Sequence, residues 1–138
     1  IVTPTINATD DPLFGYIHHG YDGTQYVQAS YIVAGIDSQA SVGVGAMPGN
    51  ILLGTTPDNG STVNSVVINK DGNLGVNTLT PSKKLVVNGN AQVVNELLLG
   101  NIDQTAIDAL TGANGMIVYN TSTNKFQGYE NGAWANLI

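Results

Sequence analysis

The sequence predicts an all-β chain with one short helix, and three observations carry that expectation. Tight-turn dipeptides recur along it: Asp71-Gly72, Asn88-Gly89 and Asn131-Gly132 each offer the positive φ that close chain reversals demand. The apolar runs between turns are short and alternate at a period of two. Leu74 and Val76 exchange places with Gly75 and Asn77, and Leu85-Val86-Val87 forms a second run, which is strand rather than helix spacing. Finally, 42% of the residues are hydrophobic and regularly spaced, a pattern that disordered low-complexity chains lack.

Taken in order, residues 1–12 hold Pro4 and Pro12 among Thr, Asn and Asp and read as a linker or extended segment. A first strand is expected over Leu13 to His19 and a second over Thr24 to Ile36, with Gly20 to Gly23 as the turn between them. Residues 41–45 place Gly43 and Gly45 at alternate positions, which suggests close backbone approach, as at a crowded contact between chains. Residues 56–61, TPDNGS, are a turn by composition. Residues 62–69 then carry apolar side chains on both faces of a strand, and such a strand in so small a chain needs partners that other copies would supply. Residues 81–84 suit one helical turn capped by Thr80. Residues 91–99 fit a strand or a short helix equally well.

Asn101 to Leu110 is the best helix in the sequence. Asn101 can cap it with Gln104 three residues on, Ala106, Ile107 and Leu110 share a face, and Gly112 can end it. The remainder reads as a small antiparallel sheet, 116–119 with 125–129, then Asn131-Gly132 into 133–137. The domain reading is therefore a linker over 1–12, a β module over 13–100, and a helix with a terminal hairpin module over 101–138.

Composition excludes several functions. Four lysines and no arginine stand against ten acids, for a net charge of −6, so nucleic-acid binding, which relies on basic patches, is not expected. No apolar run approaches the roughly 20 residues of a membrane helix, so membrane insertion is not expected either. Without cysteine, neither disulfides nor a thiolate metal site is available. Ile1 opens the sequence and no signal peptide is visible, so it reads as a segment of a longer chain.

The chemistry-bearing candidates are few, and each has a plain structural explanation. Asp10-Asp11 can cap a turn. His18 and His19 are adjacent, so a strand sends them to opposite faces and at most one could reach a symmetry axis; no metal site is assigned. Asn69, Asp71 and Asn73 mimic the opening of a calcium loop but lack its glutamate at the twelfth position, and turn chemistry accounts for them. Gly43 and Gly45 lack the third glycine and helix of a dinucleotide loop. No catalytic residues are assigned: Glu96 and Glu130 are the only glutamates, and no nucleophile sits in a recognisable motif. Tyr16, Tyr21, Tyr26 and Tyr31 fall five apart and read as half-buried rings with wet hydroxyls. Trp134, Tyr129, Tyr119 and Phe126 form the densest aromatic cluster. Trp134, Tyr129 and Tyr119 are the candidate glycan or receptor contacts, although a three-stranded meander also needs such rings as its core.

Residues 69–89, NKDGNLGVNTLTPSKKLVVNG, resemble a segment of the form DGNVGIGTTSPxxKLxVNG that recurs near the C-terminal region of bacteriophage tail fibres and related virion appendages. The likeness continues through residues 20–27 (GYDGTQYV), 47–53 (MPGNILL) and 55–61 (TTPDNGS). Residues 114–137, NGMIVYNTSTNKFQGYENGAWANL, are similar to a terminal hairpin module of phage and giant-virus fibres and of some bacterial surface proteins. The resemblance implies a strand over 91–99 and an elongated homotrimer. It also implies a structural and adhesive role on a virion, extracellular, with other appendage proteins and a host surface glycan or protein receptor as partners. It implies no cofactor. The alternative is a bacterial surface or secreted adhesion domain, and a glycan-degrading tailspike ranks behind both.

Overall fold

A computed structural model of the chain describes residues 12–37, 41–43, 45–58, 60–61 and 63–137. The linker assigned to the first residues, with Asp10-Asp11, lies outside them apart from Pro12. The chain divides into two compact units, Ile1–Ala91 and Gln92–Ile138.

The first unit is a six-stranded sheet in sequence order: β1 (Pro12–Tyr21), β2 (Tyr26–Ile36), β3 (Gly49–Thr55), β4 (Val63–Ile68), β5 (Leu74–Val76) and β6 (Leu85–Val87). Neighbours are antiparallel except β5 and β6, which run parallel. Bulges in β1–β2 and β3–β4 shift the register between His18 and His19 and between Leu53 and Gly54. Asp22 closes the β1–β2 turn. Its carboxylate accepts the Gln25 and Thr24 backbone N–H groups at 2.8 and 2.7 Å, and these bonds hold its pKa below the ordinary carboxylate value.

Partners across a ladder share a face, so the register sorts the side chains. Phe14, Tyr16, Ile32, Ile51, Leu53 and Ile68 fall on one face, together with Val66, Leu74, Val76, Leu85 and Val87. The opposite face carries Ile17, Tyr31, Val33, Leu52, Gly54, Val67 and Gly75, and this face is where the unit buries its core. Val67 is fully buried there, and Ile36, on the face of Ile32 and Ile51, is fully buried at the end of β2.

Residues 69–89 are the most densely hydrogen-bonded stretch of this unit. Asn69 accepts the N–H groups of Asp71 and Asn73 at 3.1 and 2.9 Å, and Gly72 takes positive φ, so these residues form a turn. The Asn73 amide donates to the Pro81 carbonyl at 3.0 Å and the Lys84 ammonium to that of Asp71 at 2.8 Å. Buried Asp37 accepts the Lys70 N–H at 2.8 Å, tying this turn to the end of β2. Between β5 and β6, residues 77–84 fold back over the core face. A Cβ at Gly75 would meet the Thr78 carbonyl and a Val67 methyl, which is why the residue between Leu74 and Val76 is glycine.

Several expectations are corrected. Residues 82–84 are a bend rather than a helical turn, because Lys84 turns back to cap the Asp71 carbonyl. Asn88-Gly89 starts no hairpin. Instead Asn77, at φ 55°, and Asn88 exchange amide-to-carbonyl bonds at 3.0 and 3.1 Å, locking the ends of the parallel pair. Residues 91–99 are neither strand nor helix; Val94, Leu97 and Leu98 are largely exposed, so nothing rewards ordering them into either. Gly43 and Ala46 pair across a turn with Gly45 at positive φ, and the close approach expected of these glycines is not made by atoms of the same chain. Tyr16, Tyr21 and Tyr26 are exposed rather than half-buried. Tyr31 is partly buried against Gly54, and burial raises its pKa.

In the second unit, β7 (Asn101–Ile102), α1 (Gln104–Asp108), β8 (Ile117–Asn120), β9 (Lys125–Glu130) and β10 (Ala133–Asn136) build a four-stranded sheet of order β10-β9-β8-β7. The helix is shorter than expected and starts later. Asn101 and Ile102 pair in parallel with Tyr119 and Asn120, so Asp103, not Asn101, caps α1 by accepting the Ala106 N–H at 2.8 Å. The meander of β8, β9 and β10 matches the expected hairpins, with Asn124, Asn131 and Gly132 at positive φ in its turns.

Gly75→Ala is expected to destabilise the first unit by about 2–3 kcal/mol, because backbone at Thr78 must move to admit the methyl. Gly43→Ala, which meets open space, is expected to change stability by less than about 0.5 kcal/mol. Urea unfolding of the two variants, compared at fixed protein concentration, checks this.

Candidate functional site

The aromatic residues singled out in the sequence all lie in the terminal sheet, but on two faces. Tyr129 pairs with Trp134 across β9–β10, with ring centroids 5.2 Å apart and planes at 75°. Tyr119 pairs with Phe126 across β8–β9, at 5.1 Å and 73°. Phe126 and Tyr129 are three apart on one regular strand, which puts the two pairs on opposite faces. Trp134, Tyr129 and Tyr119 therefore do not form a single platform, and the three-residue contact expected from the sequence is corrected to two separate pairs.

The Tyr129–Trp134 pair belongs largely to the packing of the sheet. The Tyr129 ring covers Gly112 so closely that a Cβ there would meet it, and both rings are half-buried. Edge-to-face geometry of this kind contributes on the order of 1 kcal/mol beyond burial. The Tyr119–Phe126 pair faces a shallow concavity of about 380 Å³, also lined by Leu97, Leu98, Leu99 and Asn101. That lining is mostly apolar, and its one amide is Asn101.

The same face as Tyr129 and Trp134 carries a feature that was not anticipated from the sequence. Asn136 on β10 lies directly across from Gln127 on β9, Asn120 on β8 lies on the diagonal of the same face, and the three form an amide ladder that runs into α1. The Asn120 amide donates to the Gln127 oxygen at 3.1 Å and to the Gln104 oxygen at 2.7 Å. Gln127 donates to Asn136 at 3.0 Å, and Gln104 to Asp108 at 2.7 Å. Asn120 also accepts the Ser122 N–H at 2.9 Å, and Ser122 in turn accepts the Gln104 N–H at 3.1 Å. Asn120 is fully buried and Gln127 nearly so. Among the described residues, no buried side-chain nitrogen or oxygen is left without a partner. The amides closest to the rings are thus committed to one another and not to a sugar.

The remaining sequence candidates do not converge. His18 lies 3.0 Å from the Ser30 hydroxyl through its Nδ1, while His19, the next residue along β1, stands opposite Gln28. Among the described residues there is no group of three or more His, Cys, Asp or Glu side chains that could hold a metal ion. No helix of the described residues is long and apolar enough to cross a membrane. No protein-family model matches the chain, and no curated protein matches it.

The amide ladder has a direct consequence for stability. Asn120→Ala leaves Gln127 and Gln104 with unmet acceptors in a dry site. It is expected to cost about 2–4 kcal/mol and to broaden the amide resonances of β8 and α1 together, as read by chemical denaturation and an NMR correlation spectrum.

Proposed function

We propose that this chain is a structural and adhesive part of a virion appendage, a phage tail fibre or capsid fibre, working as a homotrimer that meets the host cell surface. Two lines support the reading. The first is the resemblance of residues 69–89 and 114–137 to tail-fibre and terminal hairpin modules. The second, and the observation that carries most weight, is the strand composition of the first unit. None of its strand residues is Asp, Glu, Lys or Arg, and one face of the sheet leaves large apolar side chains open to solvent. A protein that works alone has little use for such a face; a fibre subunit closes it against its neighbours.

Function then follows from multivalency. Three copies per fibre, and several fibres per particle, convert weak contacts with a glycan or protein receptor into firm attachment through effective concentration. The exposed apolar concavity beside Tyr119 and Phe126 and the partly open Trp134 are the aromatic surfaces available for such contacts.

Flow cytometry with fluorescently labelled protein on a panel of bacterial cells tests this reading. The expected result is saturable binding to a subset of strains, competed by their purified surface polysaccharide or lost on protease treatment. Binding should be about tenfold or more weaker for a variant that no longer assembles. Equal binding by the assembled and the unassembled protein, or binding to no strain, contradicts the proposal.

A further inference from the structure

We infer that the β1–β2 hairpin is a two-sided self-association element, with another copy of this chain on each side. The inference rests on the homotrimer reading above and adds the surface that would make the trimer. Every residue of β1 is exposed, although the strand is 10 residues long and rich in large apolar side chains. On the front face Phe14 and Tyr16 are 62% and 60% exposed and continue into Ile32, Ile51, Leu53 and Ile68. On the back face Ile17, Tyr21 and Tyr26 are 54%, 62% and 74% exposed.

The two sides expose comparable apolar areas. The six front residues present on the order of 500 Å² and the three back residues on the order of 400 Å², taking a large side chain as roughly 150–250 Å². Either is comparable to the largest patch of an ordinary monomer, about 300–600 Å², and a contact that joins the front of one copy to the back of the next would bury on the order of 900 Å² of this surface in total, the low end of protein–protein interfaces before edge pairing is added.

The occupant must be neutral and must offer main-chain hydrogen bonds. Neither β1 nor β2 carries a charge, so a partner recognised through ion pairs has nothing to bind. Among the described residues β1 is an edge strand, hydrogen-bonded only to β2, and lipid cannot satisfy its outward N–H and C=O groups. Nor does the edge carry the lysines, central proline or inward charges with which lone proteins discourage strand addition. The surface that matches an uncharged apolar face beside an unpaired edge is the one this chain itself carries. A two-fold dimer through the front face would leave Ile17, Tyr21 and Tyr26 wet. Burying both sides takes a neighbour on each, and in the homotrimer of the reading above these are head-to-tail contacts that close as a ring.

Size-exclusion chromatography with light scattering on the full chain, alongside Tyr16→Asp and Ile17→Asp, tests this. The two residues are adjacent but point to opposite faces, and both are exposed in the single chain, so neither charge is forced into a core. The expected wild-type mass is about three times 14.3 kDa, and each variant is expected to fall threefold to a single folded chain, with folding checked by circular dichroism. If either variant keeps the wild-type mass, that side is not an interface and the two-sided inference is overturned, while the trimer reading stands. A wild-type chain that runs as a folded monomer overturns both. Hydrogen exchange on the unaltered protein gives a readout that needs no variant. The assembled chain should protect β1 amides on both edges, and rapid exchange along β1 in an oligomer contradicts the inference.

Discussion

A sheet has two faces, and within one chain the first unit covers mainly one of them, and that one only away from β1. Residues 77–84 fold over the side where Val67 and Gly75 meet, and Val67 is buried there, while Ile36 is buried on the other face, at the end of β2. Across the sheet, the row from Phe14 to Ile68 stays open to solvent. The remaining features of the unit follow from that asymmetry. Turns carry the charge, as Asp22, Lys70, Asp71 and Lys84 do, while the strands carry none. The turn chemistry of residues 69–89 is rigid because β5 and β6 are only three residues each and could not hold a parallel pair without the Asn77–Asn88 exchange and the Lys84 cap.

The second unit meets the same problem of small size differently. Its sheet is too small for a large apolar core, and a ladder of neutral amides fills the space under α1. A network of this kind is worthwhile only when every member is satisfied, since a half-satisfied one costs more than apolar packing would. Here Asn120, Gln127 and Gln104 each both donate and accept, and Asn136 accepts at the end of the ladder, which ties β8, β9 and β10 to the helix. One aromatic pair shares the ladder's face of the sheet and the other lies on the opposite face, which is why the rings that looked like one cluster in sequence are two.

Much of the fold was legible because strands and turns are local. Alternation marked β1, β2, β5 and the meander, and Asp71-Gly72 and Asn131-Gly132 turn where their positive φ allows. What escaped was long-range. Asn101 looked like a helix cap because nothing local announces that it pairs in parallel with Tyr119, and Asn88-Gly89 has the dipeptide of a hairpin but is held by Asn77, 11 residues away. Residues 91–99 have strand-like apolar content and no partner to make them a strand. For the site, facing positions on β8, β9 and β10 were the missing signal. Writing the meander out in register would have shown Asn136 opposite Gln127 with Asn120 on the diagonal of the same face, and would have separated Tyr119 from Tyr129 and Trp134.

The central claim is that folding of the first unit is completed by other copies of the chain. The measurement that bears on it most directly is thermal unfolding over a hundredfold range of protein concentration. When cover comes from neighbours, mass action couples assembly to folding, and the midpoint should rise steadily with concentration. A single midpoint, unchanged across the whole range, would mean that the open apolar face is stable by itself and would contradict the account.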